Sequence, residues 1–287
     1  MRWSERQRAM LRELAVPMPP GPRAAPIPPG PRAGAIPAAP EAARRPAPSA
    51  PAARPPLPAP ASAPVSKPAA APPTDAARAA RIAAMGWPAL RTEVAGCTAC
   101  ALCRTRRQTV FGVGAERARW MVVGEAPGEQ EDARGEPFVG AAGQLLDRML
   151  AALDLARAAG AGSEEAADRA AAPQPVFIAN TLKCRPPGNR NPAPEELAAC
   201  QPFLERQIEL VAPRVILALG RFAAQALLGS TEPIGRLRGR VHRWRSTPVV
   251  VSYHPSYLLR SPAEKGKAWE DLCLAARVHD EGGAAGG

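Results

Sequence analysis

Four short apolar runs punctuate the chain beyond residue 119, and each stops abruptly at a glycine or a polar residue. They are residues 120–123 before Gly124, 176–179 before Asn180, 215–219 before Gly220, and 248–251 before Ser252. Runs of this length, rich in Val, Ile and Leu, predict buried strands. Between them apolar residues recur at helical spacing: Leu145, Leu146, Met149 and Leu150 after the first, residues 194–210 after the second, and Phe222, Ala226 and Leu227 after the third. Strands alternating with helices predict a three-layer α/β/α sandwich on a central four-stranded, mainly parallel sheet. Such sheets bind ligands beyond the carboxyl ends of their strands. Glu125, Asn180 and His254 all fall just past strand ends, which makes one rim of the sheet a candidate site.

The pattern is lost before residue 75. Residues 17–74 are almost entirely Pro and Ala with scattered Arg, too poor in large apolar side chains to build a core, and predict a disordered, polyproline-like linker. Ahead of it, residues 1–16 carry Met10, Leu11 and Leu14 as an apolar stripe flanked by Arg6, Arg8 and Arg12. That pattern predicts a short amphipathic helix that docks in a partner's groove. It is loosely similar to the N-terminal peptide of the psi subunit of the bacterial clamp loader, which implies a replication or repair protein as the partner. The folded domain is expected over 75–280, with Asp75 as the N-cap of its first helix and a disordered tail over 281–287. Residues 156–175, rich in Ala and charge, are expected to be a helix end and a surface insertion, and 109–111 a strand-like piece.

Of the formal net charge of +11, about +6 lies before residue 76, so the domain itself carries about +5. A moderately basic domain suits a polyanion such as nucleic acid. No run is apolar enough to span a bilayer and no secretory pattern is present, so the expectation is a cytoplasmic, nucleoid-associated monomer without a membrane partner.

In that compartment the six cysteines are better read as metal ligands or buried thiols than as disulfides. Cys97 and Cys100 form a C-x2-C pair, and Cys184 and Cys200 offer two more thiolates. Four sulfurs suit zinc or a [4Fe–4S] cluster, and spacing leaves both open. Cys103 is an alternative member, and Cys273, between Leu272 and Leu274, is expected in the core. His242 and His279 are expected on the surface.

Beyond these features the chain resembles the family 4 uracil-DNA glycosylases, the iron–sulfur bacterial and archaeal branch of their superfamily. The matching pieces are CTAC at Cys97, GEAPGEQED at Gly124, GEPFVGAAGQLL at Gly135, NTLKCRPPGNRNP at Asn180, Cys200, and HPSYLLR at His254. They span roughly 75–278. The resemblance implies a repair enzyme that flips deoxyuridine out of DNA, hydrolyses its N-glycosidic bond and leaves an abasic site. It also implies a [4Fe–4S] cluster on Cys97, Cys100, Cys184 and Cys200, with Cys103 a spectator.

Chemistry gives each matched residue a task. A base inside a duplex must be extruded into a pocket that reads its Watson–Crick edge. Phe138 offers a ring to stack on, and the Asn180 amide can accept from N3–H while donating to O4, a pattern that uracil satisfies and cytosine does not. Donors from His254 and from the backbone around Gly124, Glu125 and Ala126 would stabilise the leaving uracil anion. Glu125, or a water held by Asn189, would serve the sugar. Glu131 is a candidate for the bulk that refuses the thymine methyl group. Leu258 matches the apolar wedge that fills the vacated stack. Arg185, Arg190, Arg238, Arg240 and Arg260 are candidate phosphate contacts.

Three other readings compete. A related branch traps uracil-DNA covalently through a histidine in the loop after the asparagine motif, but residues 185–192 contain none. An iron–sulfur electron carrier leaves the pocket-like motifs unexplained. A catalytically weak uracil-DNA-binding or scaffold protein, recruiting partners through its N-terminal helix, is the alternative function.

Overall fold

Alternation along the strands decides the layers. In the computed structural model, which describes residues 73–157 and 173–284, strand β2 (Trp120–Gly124) turns Trp120 and Val122 to one face and Met121 and Val123 to the other. Strands β4 (Gln174–Asn180), β5 (Val215–Leu219) and β7 (Thr247–Ser252) divide their side chains likewise. Both faces are apolar, so both must be covered by helices. Helices α4 (Ala141–Ala151), α8 (Pro255–Arg260) and α9 (Lys265–Ala284) cover the first with Leu145, Leu146, Met149, Leu258, Trp269 and Leu272. On the second, α5 (Pro194–Val211) and α6 (Arg221–Leu228) contribute Leu204, Ile208, Ala223 and Leu227. Each such side chain stabilises the fold by roughly 1.5–3 kcal/mol relative to exposure.

The four expected strands form the parallel centre, in the order β4-β2-β5-β7. The sheet is wider than expected, with seven strands among the described residues. Antiparallel β1 (Val113–Gly114) pairs with β4, and β6 (Val241–Trp244) closes the other edge as a hairpin with β7. Residues Leu155–Arg157, expected to end a helix, instead form β3, parallel to β4. The piece at 109–111 is not a strand, although the Val110 N–H donates to the Lys183 carbonyl at 2.8 Å.

Two N-terminal helices, α1 (Pro73–Ala83) and α2 (Trp87–Ala95), pack on α5 through Ile82, Leu90, Val94 and Phe203. Helix α1 begins before Asp75, so that residue lies in the first turn and is not the cap. The remaining helices are α3 (Glu129–Arg134) and α7 (Ile234–Leu237), both in loops on the carboxyl rim. The docking peptide of 1–16 and the linker of 17–74 lie outside the described residues, apart from the last two linker positions. Among those residues no helix is long and apolar enough to cross a membrane.

Two histidine and leucine expectations need correction. His279 is 6% exposed and stacks on Trp120 with ring centroids 5.1 Å apart, because the last turns of α9 lie over the start of β2. Leu258 is 1% exposed and belongs to the core with Leu145, Met149 and Trp269. On the six-residue helix α8 its neighbours Tyr257 and Leu259 point outward instead. His242, half-buried, has its Nε2 2.7 Å from the Leu237 carbonyl, and Cys273 packs at the edge of the core as expected.

Helix α9 is tied to the rim by a buried carboxylate. Asp271 accepts from Ser252 Oγ at 2.8 Å, Arg238 Nε at 3.1 Å and the Gly239 N–H at 3.0 Å. Removing it leaves the buried Ser252 hydroxyl and the Gly239 N–H without their acceptor and Arg238 with Glu270 alone as its carboxylate, and a broken buried pair costs about 3–5 kcal/mol. Asp271→Ala is therefore expected to lower the unfolding free energy by about 3 kcal/mol, read from the urea midpoint at constant slope; an unchanged midpoint would show that the network contributes nothing.

Candidate active site

Parallel pairing puts Gly124 of β2 directly opposite Asn180 of β4. Beyond the strands the two chains stay zipped, with the Thr181 N–H on the Gly124 carbonyl at 3.0 Å and the Leu182 N–H on the Glu125 carbonyl at 3.1 Å. A third segment joins them where β7 ends. His254 caps α8, its Nδ1 accepting the Ser256 N–H at 3.2 Å, and Pro255 occupies the first helical position, where a missing N–H costs nothing. A cavity of about 730 Å³ opens among these three strand ends, lined by Glu125, Ala126, Phe138, Asn180, Asn189 and His254 among others. The volume is ordinary for a ligand site.

Asn180 is 2% exposed, and its Oδ1 is buried without a hydrogen-bond partner among the described residues. A buried acceptor left empty costs about 1–3 kcal/mol, so a ligand donor is expected there. Gly124 makes room for it: a Cβ at that position would overlap Asn180 Oδ1 and the tip of the Phe138 ring. Phe138 lies beside His254, ring centroids 5.5 Å apart and 29° from parallel. An aromatic wall, an unfilled amide acceptor and an imidazole thus share one small floor.

Burial lowers the pKa of His254 to about 4, with the Arg260 charge adding to the effect. The ring is therefore neutral at pH 7. Because Nδ1 accepts from Ser256, the proton of the neutral ring belongs on Nε2, which becomes a donor. Burial raises the Glu125 carboxyl above its ordinary value, and the nearby Arg221 charge opposes that shift. Arg221 also lines the cavity, exposed at the start of α6. Only its place after the β5 strand end marked it in the sequence.

Other expected residues are placed differently. Asn189 lines the cavity, but its Oδ1 already accepts Arg185 Nε at 2.8 Å. Arg190 holds Glu196 through both terminal nitrogens, at 2.9 and 2.6 Å, so its charge is neutralised by a carboxylate that also caps α5. Arg238 is bound by Asp271 and Glu270, and Arg240 faces Glu232. Arg260 stays exposed beside the cavity. Glu131 lines the cavity, and its carboxylate is held there by the N–H groups of Gly128, Val139 and Gly140. Leu258 lines no part of the cavity, whereas Tyr257 does.

The cysteines gather behind this rim. Cys184 and Cys200 are buried with Leu102 and Leu182, and Cys100 packs against them. Cys97, at the end of α2, influences the ionisation of both Cys100 and Cys184. N–H groups point at the sulfurs: Arg106 Nη1 lies 3.1 Å from Cys184 Sγ and Arg78 Nη2 3.6 Å from Cys97 Sγ. The Lys183 backbone N–H serves Cys200, whose thiol burial pushes up to about 12. Among the described residues no three His, Cys, Asp or Glu side chains converge closely enough for one metal ion. Cysteine sulfurs gathered with cationic N–H donors have the chemistry of a thiolate-bound metal group.

Residues 111–273 match the model of the family described as the uracil DNA glycosylase superfamily. The chain belongs to that superfamily. Within the superfamily it is similar to type-4 uracil-DNA glycosylases: 43% identical to that of Archaeoglobus fulgidus over 178 residues, 59% of this chain and 81% of the relative. The type-4 enzyme of Pyrobaculum aerophilum is 40% identical, covering 64% and 90% of the two chains. That of Thermotoga maritima is 44% identical, covering 59% and 81%. This glycosylase fold therefore accounts for the region that holds the whole rim.

A neutral His254 makes a pH prediction. The folded pKa of about 4 lies below the ordinary 6.5. Stability from burying the neutral ring is then complete above pH 6.5 and is lost as pH falls toward 4. Nitrogen-15 NMR of histidine-labelled protein is expected to show His254 as the Nε2–H tautomer from pH 8 to about 5, titrating near 4. A midpoint near 6.5 would refute the buried neutral donor.

Proposed function

We propose that this chain is a DNA-repair glycosylase that extrudes deoxyuridine from DNA and hydrolyses its N-glycosidic bond, leaving free uracil and an abasic site. The observation that carries the reading is the buried, unpartnered Oδ1 of Asn180 in a cavity walled by Phe138 and His254. Uracil N3–H supplies the donor that this oxygen lacks, and the amide N–H2 donates to O4. Cytosine offers an acceptor at N3 and a donor at C4, so it meets the same amide in the wrong sense.

As the bond from C1′ to N1 breaks, the electron pair goes to the base and positive charge grows on the sugar. His254 Nε2–H donates to O2 of the departing anion, as do backbone N–H groups around Gly124, Glu125 and Ala126, where little water competes. Water then adds at C1′ and loses a proton. Glu125 is the better placed acceptor, since its carboxylate stays free while the Asn189 oxygen is taken by Arg185. Its charge also favours the oxocarbenium-like sugar. The cavity contains no second histidine among its lining residues, which disfavours a covalent trap.

Phosphate contacts fall to Arg260 and Arg221; Arg185, paired with Glu129 and Asn189, braces the loops with Arg190 and Arg238. The wedge passes from Leu258 to its exposed neighbours Leu259 and Tyr257, 44% and 39% accessible, on the helix that His254 caps. Cys97, Cys100, Cys184 and Cys200 would hold a [4Fe–4S] cluster. When bound, it supplies a covalent tie between the α2 end, the β4 exit and α5. Residues 75–280 form the catalytic domain in this reading, with 1–16 as a docking peptide for a replication or repair protein and 17–74 as its tether.

The direct test is an oligonucleotide with one deoxyuridine, treated with anaerobically purified protein and then alkali. Cleavage is expected only at uracil, with none in thymidine or cytidine controls. Asn180→Ala is expected to lose at least about a hundredfold in rate, in line with a site built to pair buried polar groups. Equal rates in parent and variant would remove Asn180 from the mechanism, and no cleavage at all would remove the glycosylase.

The wedge has its own test. Leu258→Ala is expected to lower stability by about 2–5 kcal/mol, as core truncations do. Leu259→Ala should leave the unfolding midpoint alone and slow excision from duplex more than from single-stranded DNA. The opposite pattern would restore Leu258 as the wedge.

A further inference from the structure

We infer that Arg157 and Glu131 are a pair of positioning residues that clamp the Phe138 ring in place as the platform for the extruded base. The inference rests on the glycosylase reading and extends it to Arg157, which lies outside the cavity lining, and to the backbone contacts of Glu131, which lines it. Phe138 has φ of 56°, in the left-handed region. For a bulky residue this costs on the order of 1 kcal/mol or more, so the surroundings must impose it.

Two oppositely charged groups do so from opposite directions. Arg157, at the end of β3, donates from Nη1 to the Pro137 carbonyl at 2.5 Å and from Nη2 to the Phe138 carbonyl at 2.9 Å. Asp147 on α4 fixes the guanidinium, accepting from Nε at 3.3 Å and Nη2 at 3.1 Å. Glu131 takes the next two peptides by their donors: Oε1 accepts Val139 N–H at 2.9 Å and Gly140 N–H at 3.2 Å. Its Oε2 accepts Gly128 N–H at 3.1 Å and so anchors the clamp to the loop that carries Glu125 and Ala126. Gly143 completes the seat, because a Cβ there would overlap the Phe138 carbonyl.

The chemistry of the two clamps is specific. A planar guanidinium reaches two neighbouring carbonyls at once, while an ammonium meets them as a single point. The carboxylate accepts from two successive N–H groups, as a turn requires. The strand that brings Arg157 to the loop is the short edge strand β3, which otherwise contributes only Leu155 to the core.

The experiment uses the full-length, cluster-loaded protein and three variants: Arg157→Ala, Arg157→Lys and Phe138→Ala. Inhibition by free uracil reports the platform, and affinity for the abasic product strand reports the rest of the DNA site. Arg157→Ala and Phe138→Ala are each expected to weaken uracil inhibition about tenfold, the size of one base–aromatic stack, with abasic-DNA affinity unchanged. Arg157→Lys should fall between. Added guanidinium ion at sub-denaturing concentration should restore Arg157→Ala and leave Phe138→Ala unchanged. Parent-like uracil inhibition in Arg157→Ala, with Phe138→Ala impaired, would overturn the clamp and leave the glycosylase reading intact. So would equal losses toward uracil and abasic DNA without guanidinium rescue, since that is general destabilisation. Parent-like inhibition in Phe138→Ala would refute the platform itself, and the clamp with it.

Discussion

The register of β2 against β4 is the constraint on which everything at the rim depends. It sets Gly124 opposite Asn180 and then continues for two more hydrogen bonds past the strands. Side chains alternate along a strand, so a slip of one residue would turn Asn180 away and bring an apolar neighbour to the cavity. The register is held by the apolar faces themselves, since Val122 and Ile178 must meet one layer while Met121 and Phe177 meet the other. Packing of the core therefore determines where an amide acceptor stands unpaired. No functional residue needs to enforce its own position.

The same strand carries a second consequence four residues on. Beyond Asn180 the chain runs through Thr181, Leu182 and Lys183 to Cys184, all buried. Lys183 is 1% exposed and donates from Nζ to the Asn180 carbonyl at 2.7 Å and to Gln207 Oε1 at 2.6 Å. Burial lowers its pKa to about 8, and the neighbouring cysteines Cys200 and Cys184 oppose that shift. An ammonium is tolerated there only with such acceptors. The exit of β4 is thus continuous in packing from the Asn180 amide to the cysteine nest, and α5 joins the same region through Cys200 and Gln207.

Much of this was legible because it is written in short-range pattern. Apolar runs that end at Gly124, Asn180, Gly220 and Ser252 located the rim, and the spacing of the cysteines located the nest. What escaped was set by geometry that no local pattern encodes. Leu258 matches a wedge motif, yet which side of a six-residue helix faces the core depends on how α8 meets α4 and α9. His279 lacks any motif and is buried because α9 is long enough to reach Trp120. Arg157 sits in a stretch whose composition reads as a helix end, and three residues of edge strand are too short for periodicity to reveal. Arg190 and Glu131 were visible as charges, but their partners were not. A charge in a sequence says nothing about which opposite group it will meet.

The electrostatics of the floor follow from that division of labour. Most cations near the rim are neutralised by carboxylates, Arg190 by Glu196 and Arg238 by Asp271 and Glu270, which leaves Arg260 and Arg221 free to face a polyanion. Within the cavity the same burial acts on two groups in opposite directions, disfavouring charge on His254 and on Glu125 alike. A neutral imidazole suits the leaving base, since it donates without requiring a proton from solvent. Had the cavity been wetter, His254 would titrate within the physiological range and its tautomer would no longer be fixed by Ser256. The Phe138 ring beside it and the Ser256 N–H on its Nδ1 are what hold this imidazole in one orientation.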